Sequence, residues 1–195
     1  MTMSDFPPGL VLIIGAFLLP MIGQRLRPML TLGLPLLTLY LVWSLPNGTF
    51  STFPMLDYNL AFIQSDSLSR LFATVFSIMT FGGSLFALKQ KRVLELVSVF
   101  VYAGSAIGVV FAGDLISLFI FWEIMAVAST LVVLSAGGKR SYQISMRYFL
   151  VHVFGGTLLL IGILSHIVDT GSTAFTAMEP NTFGTIFILM GFLIN

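Results

Sequence analysis

Six long apolar stretches follow one another along the chain, and they restrict the fold more than any other feature of the sequence. They cover residues 8–23, 28–45, 68–88, 93–113, 115–136 and 148–168, and a seventh begins near residue 182 and runs to 195. A helix of about 20 apolar residues crosses the roughly 30 Å hydrocarbon core of a bilayer. Hydrophobic residues make up 57% of the chain and charged residues 9%, which excludes a water-soluble globule. The sequence therefore predicts an all-α, polytopic membrane protein with six full transmembrane helices and the start of a seventh, in one membrane domain over residues 1–195.

Nearly all Lys and Arg residues are predicted to lie in loops on one side of the membrane. Arg70 is the only one of the nine Lys and Arg residues outside the loops that follow the first, third and fifth spans. Those loops hold Arg25, Arg27, Lys89, Lys91, Arg92, Lys139, Arg140 and Arg147. Because Lys and Arg concentrate in cytoplasmic loops, we expect a multi-pass protein of the inner (plasma) membrane with its N-terminus outside. The residues before the first stretch hold no Lys or Arg, so we expect that stretch to be a retained span and not a signal peptide.

Proline and turn residues mark two local breaks in the pattern. Pro20 lies inside the first apolar stretch and is expected to kink it. Residues 46–66 begin with a Pro-Asn-Gly turn and continue with β-favouring residues, which indicates either an external extended segment or a small hairpin.

Two pairs of charged side chains are spaced for helix-end ion pairs. Asp66 and Arg70 stand four residues apart at the start of the third helix. Arg92 and Glu95 stand three apart at the start of the fourth, where a solvated pair is the favoured interpretation.

The composition excludes several classes of function. A net charge of +1 is too balanced for a nucleic-acid binder, and with no cysteine there is no thiolate for a zinc site or an iron–sulfur cluster. The two histidines, His152 and His166, lie fourteen residues apart on one predicted helix, about 21 Å, so they cannot share a metal or a haem. We expect no cofactor and no catalytic site of the chain's own.

Glu123 is the most unusual residue of the sequence. It lies nine residues after Asp114 and sixteen before Lys139, which places it in the interior of the bilayer. A charged side chain at the centre of a helix costs roughly 2.5–3.5 kcal/mol on insertion scales. Its sequence neighbours are apolar, so any partner must come from another helix. The favoured interpretation is a carboxylate of a proton or ion pathway. The alternative is a structural glutamate that stays protonated or hydrogen-bonds a neighbouring helix.

Three polar residues are weaker candidates for the same pathway. His152 could pass protons between the cytoplasmic edge and the interior, or could be a packing histidine bonded across helices. Ser129 and Thr130 could line a hydrated path or bond the carbonyls of their own helix. Because Glu123 lies nearer the outer side, a relay to His152 would need bridging water.

Small residues in the fourth span predict a helix-packing face. Gly104 and Gly108 form a small-xxx-small pair, which allows close approach of a neighbouring helix.

The last apolar stretch is short for a finished protein. From Thr182 to Asn195 a helix would be about 21 Å long, which falls short of the bilayer. We therefore expect a fragment or one half of a split polypeptide.

Two sequence runs carry a resemblance to a known family. The run from Gly113 to Glu123, Gly-Asp-Leu-Ile-Ser-Leu-Phe-Ile-Phe-Trp-Glu, resembles the fifth transmembrane helix of the antiporter-like subunits shared by complex I (proton-pumping NADH:quinone oxidoreductase) and Mrp-type sodium/proton antiporters. The run Met-Arg-Tyr-Phe-Leu at 146–150 is similar to the start of that family's sixth helix, which usually has Lys where this chain has Arg147.

The resemblance implies a role for Glu123 and for the end of the chain. Glu123 matches the family's fifth-helix glutamate, which pairs with a lysine on a broken seventh helix to gate protons. In this register Asn195 takes the position of that lysine, so the gate position is uncharged. Family members contain about fourteen helices in two inverted five-helix repeats, and this chain includes part of the first.

The function implied by the resemblance is a proton-translocating subunit of a multisubunit membrane complex, most like an Mrp-type D-like subunit. A complex I-type proton-pumping subunit of a redox-driven translocase and a non-conducting assembly subunit remain alternatives. The implied partners are other membrane subunits, including a chain or segment that completes the fold, with the lipid bilayer, protons and sodium. The sequence indicates no nucleic-acid partner.

Overall fold

The computed structural model describes residues 6–55, 58–90 and 92–194. Within these ranges the chain is mostly helical, with one two-stranded antiparallel hairpin. The elements are α1 (Pro8–Leu18), α2 (Arg27–Ser44), β1 (Gly48–Met55), β2 (Tyr58–Ser65), α3 (Ser67–Phe86), α4 (Val93–Phe111), α5 (Leu115–Ser135), α6 (Gly138–Thr170) and α7 (Phe183–Ile194).

Four helices of the described residues are long and apolar enough to cross a membrane. They are α3 with the short 3₁₀ turn that follows it, α4, α5 and α6, while α1 and α7 are shorter apolar helices. The structure thus supports a multi-pass membrane protein. The full spans at 8–23 and 28–45 stay predictions.

Proline ends the first helix instead of kinking it. α1 stops at Leu18, five residues before the predicted end of the span, and the chain turns through Pro20. Pro20 has no amide hydrogen to donate to the carbonyl four residues earlier, so the helical hydrogen-bond ladder is interrupted there. Arg27 then donates from Nε to the carbonyl of Leu19 and from Nη2 to the carbonyl of Ile22, both at 3.3 Å, which satisfies backbone acceptors of this turn.

Helix α6 begins ten residues before the apolar stretch that predicted it. Gly137 and Gly138 adopt positive φ angles of 78° and 87°, a conformation that favours glycine, and the helix starts there. Lys139 and Arg140, predicted in a loop, therefore lie in its first turn. Lysine and arginine are good helix formers, so a change in polarity alone does not end a helix. The 33 residues of α6 make it about 50 Å long, more than the bilayer core requires.

The buried core consists of two clusters. The first joins residues of α1, α2, α3 and α4 around Leu12, Val42 and Phe100. The second joins α5, α6 and α7 around Leu159 and Ile163. The interface between α4 and α5 connects the two halves.

Glycines set the distance between α4 and its neighbours. A Cβ added to Gly104 would lie 2.8 Å from the Ile13 side chain of α1 and closer still to the carbonyl oxygen of Gly9. A Cβ on Gly108 would overlap the ring of Phe121 on α5. Both glycines lie close to Gly9 of α1, and Gly108 also packs against α5.

The segment between α2 and α3 is a small hairpin, which settles the two alternatives predicted for it. Strands β1 and β2 pair antiparallel, from Gly48 opposite Ser65 to Met55 opposite Tyr58. Whether the hairpin lies outside the cell stays a prediction.

Asp66 caps helix α3, and Arg70 bonds the backbone of Asp66 and not its carboxylate as predicted. The Asp66 carboxylate accepts the backbone N–H of Ser69 at 2.6 Å, and the Ser69 hydroxyl accepts the backbone N–H of Asp66 at 2.8 Å, forming a capping box. The Arg70 guanidinium bonds the Asn47 side chain and the carbonyl oxygen of Asp66, so it contacts the backbone of Asp66 instead of its carboxylate. The carboxylate is held by the helix N-terminus, which offers unsatisfied N–H groups.

We expect Asp66→Ala to destabilise the start of α3 by about 1 kcal/mol at pH 7. The backbone and side-chain hydrogen bonds of Ser69 lower the pKa of Asp66 below its usual value. A lowered folded-state pKa contributes stability above about pH 4 and loses it as pH falls through the lowered value. Thermal unfolding of the purified protein should show the Ala penalty at pH 7 and a smaller penalty near pH 3. Asp66→Asn keeps the cap without the titration, so equal stability of the Ala and Asn variants at pH 7 would contradict the capping role.

Arg92 and Glu95 do not form the predicted pair, because each side chain bonds a different partner. Glu95 accepts the amide of Gln90 at 2.8 Å. Arg92 reaches across to the end of α5, where its Nη1 donates to the carbonyls of Ser135 and Ala136, both at 3.0 Å. The last carbonyls of a helix have no partner within the helix, and a cation is favourable at this end of the helix dipole.

Candidate functional site

Helix α5 carries Glu123 into the interior of the bundle. The helix begins at Leu115 behind the N-cap Asp114, so Glu123 lies about 13.5 Å along the axis from the cap. The helix has no polar face, because nearly every residue around Glu123 is apolar. The carboxyl group therefore depends on the neighbouring helices for its surroundings.

The Glu123 carboxylate packs against bare backbone on α6. A Cβ placed on Gly156 would overlap Glu123 Oε1 and lie 2.9 Å from the carboxyl carbon, so the carboxylate occupies the space that a side chain at 156 would take. Oε1 is buried and has no hydrogen-bond partner among the described residues. The part of the chain that the structure describes brings no Lys or Arg within ion-pair distance of this carboxylate.

A second side of Glu123 borders an apolar groove. The groove has a volume of about 340 Å³ and lies between α1, α4 and α5. Phe17, Ser98 and Val101 line it together with residues of the Glu123 turn. Glu123 is therefore half-buried, with Oε1 on the side of α6.

His152 lines a small cavity between α4, α5 and α6. The cavity measures about 90 Å³, and its lining is Tyr102, Trp122, Met125, Ala126, Ser129, Tyr148 and His152. The His152 ring contacts Tyr148 edge to face, with centroids 4.2 Å apart. Polar groups from three helices thus surround a space large enough for water.

Ser129 and Thr130 bond their own helix. Both hydroxyls donate to the carbonyl of Ala126, at 2.8 and 3.0 Å. Ser129 also lines the His152 cavity, whereas Thr130 is buried.

His152 lies one turn of α6 before the glycine that the Glu123 carboxylate contacts. Gly156, which contacts the Glu123 carboxylate, follows His152 by one helical turn, about 6 Å. The His152 cavity and the Glu123 carboxylate thus lie beside consecutive turns of α6.

Helix α7 reaches the same region. Phe192 contacts Trp122, the residue before Glu123, edge to face at a centroid distance of 5.0 Å. The end of α7 thus packs beside the Glu123 turn. Asn195, the predicted gate position, lies outside the described residues.

Asp114 is a structural centre that the sequence analysis did not single out. Its carboxylate accepts the backbone N–H of Ser117 at 2.8 Å, the Ser117 hydroxyl at 2.7 Å and the backbone N–H of Ala61 in β2. The adjacent Leu115 N–H donates to the carbonyl of Thr173 at 2.9 Å. Asp114 is 2% exposed and joins α5 to the hairpin beside the segment after α6. The signal in the sequence was the Asp-x-x-Ser spacing ahead of an apolar run.

We expect Asp114→Ala to destabilise the protein by about 2 kcal/mol or more, because three donors lose a buried acceptor. Thermal unfolding of the purified protein should show this loss. Asp114→Asn retains an acceptor for the Ser117 N–H and should lie between Ala and wild type. Unfolding of the Ala variant at the wild-type temperature would contradict this role.

No metal site is evident where the structure describes the chain: within residues 6–55, 58–90 and 92–194, no three His, Cys, Asp or Glu side chains come together around a common point.

The sequence of the chain is similar to sequences of known membrane proteins. The sequence model of the family described as "NADH:quinone oxidoreductase/Mrp antiporter, TM" matches residues 112–195, which include α5, α6 and α7. A putative antiporter subunit, mnhA2, from Staphylococcus saprophyticus is 28% identical over 156 residues, covering 72% of this chain and 19% of that protein. A D-type Na⁺/H⁺ antiporter subunit from Alkalihalophilus pseudofirmus is 32% identical over 65 residues, covering 33% of this chain and 13% of that protein. The chain spans about a fifth of the length of the first of these relatives.

The fold is similar to that of a solved Mrp complex. A chain of the Mrp complex from Dietzia superposes with a TM-score of 0.79 at 19% identity, covering 96% of this chain and 23% of that one. The sequence match confirms the resemblance predicted from the Trp-Glu run, and the superposition shows a common fold. Over residues 112–195 the chain is thus similar in sequence to the antiporter-like membrane subunits of Mrp-type antiporters and complex I, and its fold is similar to that of a chain of the Mrp complex.

Proposed function

We propose that this chain forms part of a proton-translocating subunit of a multisubunit membrane complex, most like an Mrp-type cation/proton antiporter. The observation that carries the proposal is Glu123, a carboxylate in the interior of an apolar helix whose Oε1 lies against backbone on α6. An acid at this depth is costly and is usually retained for a task. The relatives named as antiporter subunits support ion transport as that task.

Within this proposal, Glu123 accepts and releases the transported proton. His152 passes protons to it from the cytoplasmic side through water in the cavity that Ser129 lines, and Thr130 adds a hydroxyl one residue further along α5. The cation that pairs with Glu123 comes from outside the described residues, on another segment or another subunit. Protons are the transported ion, with sodium as the exchanged cation.

The proposed setting is the plasma membrane, with six full spans, the start of a seventh and the N-terminus outside. The placement of cations after the first, third and fifth spans supports this orientation. Other membrane subunits of the complex are the proposed partners. A proton-pumping subunit of complex I type has the same site and differs in its driving reaction.

A non-conducting assembly subunit is the second candidate. It is favoured by the lack of an ion pair to Glu123 among the described residues. In that case substitutions at Glu123 would lower the yield of the complex without changing turnover per assembled complex.

The experiment that separates these functions is proton-coupled transport in vesicles reconstituted with the whole complex. Transport per assembled complex is measured for wild type, Glu123→Gln and Glu123→Ala. Loss of transport in both variants supports the pathway role. Unchanged turnover in both would remove Glu123 from the mechanism.

A further inference from the structure

Gly156 of α6 has no side chain, and its backbone contacts the carboxylate of Glu123 in α5. Within the described residues, the atoms closest to a Cβ added at this position are Oε1, the carboxyl carbon and Oε2 of Glu123, the last two at 2.9 and 3.2 Å. Real Cβ atoms essentially never approach other atoms so closely. The side chain of Glu123 therefore occupies the place that a methyl group at position 156 would need.

The backbone conformation does not explain why glycine stands at this position. Gly156 lies in the middle of α6, and its φ angle is not among the positive ones of the chain. Alanine would be favoured there by about 1 kcal/mol in helix propensity. The contact with Glu123 is the feature that a larger residue would remove.

We propose that Gly156 is a positioning residue for Glu123: it leaves a slot on α6 that holds the carboxylate at the interface between α5 and α6. The inference rests on the proposed function, since it assigns to Gly156 the orientation of the group that exchanges protons. In the slot, Oε1 faces the helix that carries His152 one turn away. Without the slot the carboxylate swings toward the groove lined by Phe17 and Val101, where its surroundings are apolar.

The test is Gly156→Ala in the intact complex, with Gly82→Ala as a matched control. A Cβ at Gly82 in α3 meets nothing within 4 Å, so the same change there should leave transport and assembly unaltered. A displacement of about 1 Å in a reacting group can cost around 100-fold in rate. We therefore expect Gly156→Ala to lower transport per assembled complex between about tenfold and 100-fold.

Rescue by a shorter acid distinguishes positioning from general damage to α6. Glu123→Asp withdraws the carboxylate by one methylene and makes room for the Ala side chain. Gly156→Ala should therefore lower transport, or complex yield if yield falls, by a smaller factor in the Glu123→Asp background than in the wild type. Equal factors in the two backgrounds would overturn the positioning role.

A readout independent of transport is the rate at which a hydrophobic carbodiimide modifies Glu123 in native membranes, measured by mass spectrometry. We expect the rate to rise severalfold in Gly156→Ala, because the carboxylate moves toward the apolar groove. An unchanged rate, or wild-type transport by Gly156→Ala while Glu123→Gln is inactive, would overturn this inference and leave the proposed function in place. Wild-type transport by Glu123→Gln would instead overturn the proposed function.

Discussion

Glu123→Gln is expected to reduce proton-coupled transport per assembled complex by about 100-fold or more, the lower end of what a positioned proton-transfer group contributes. Glutamine has nearly the same shape as glutamate, so it fits the slot against Gly156 and leaves the packing of α5 on α6 intact. It cannot accept or release a proton near neutral pH. Transport in reconstituted vesicles should therefore fall while the yield of the complex stays near that of wild type.

Two comparison variants make this result specific. Glu123→Ala should lose transport to the same extent and should also lower stability, since it removes packed atoms from a buried contact. Glu95→Gln changes a carboxylate outside the site, whose partner is Gln90, and should transport as wild type does. Equal transport by all three variants would show that no proton passes through Glu123.

Gly104→Leu is expected to destabilise the protein by about 3 kcal/mol or more, because the new side chain cannot fit between α4 and α1. Gly104 and Gly9 approach each other backbone to backbone, so the helices would have to separate along the first core cluster. The yield of folded protein and its unfolding temperature should both fall. Gly104→Ala should fall less, because one methyl group requires a smaller separation.

The matched control for this change is Gly82→Leu in α3. A Cβ there meets nothing within 4 Å among the described residues, so the larger side chain does not force two helices of this chain apart. Equal yields of Gly104→Leu and Gly82→Leu would show that the approach of α1 to α4 contributes little to folding.

The sequence predicted the elements whose signals are local. Apolar length located the spanning helices, and the Pro-Asn-Gly turn located the hairpin that β1 and β2 form. The position of Glu123 in the interior followed from counting residues to the nearest charges, because a helix rises by a fixed amount per residue.

The features that sequence reasoning missed depend on contacts between distant segments. The α6 start at Gly138 was missed because charge marks the edge of the hydrocarbon, whereas a helix ends only where backbone geometry changes. The contact of Gly156 with Glu123 joins residues 33 positions apart, and one sequence holds no signal for the rotation that brings them together. The anchoring role of Asp114 was missed because its partner Ala61 donates through its backbone, which no residue type reveals.

Helix α5 is fastened at both ends, and this limits how the site can move. Asp114 and Leu115 tie its first turn to β2 and to Thr173, while Arg92 holds the carbonyls of its last turn. A piston-like slide by one residue, about 1.5 Å, would break both sets of bonds at once. If Glu123 is to face first one side of the membrane and then the other, its side chain must rotate, or α6 and α7 must move relative to a fixed α5.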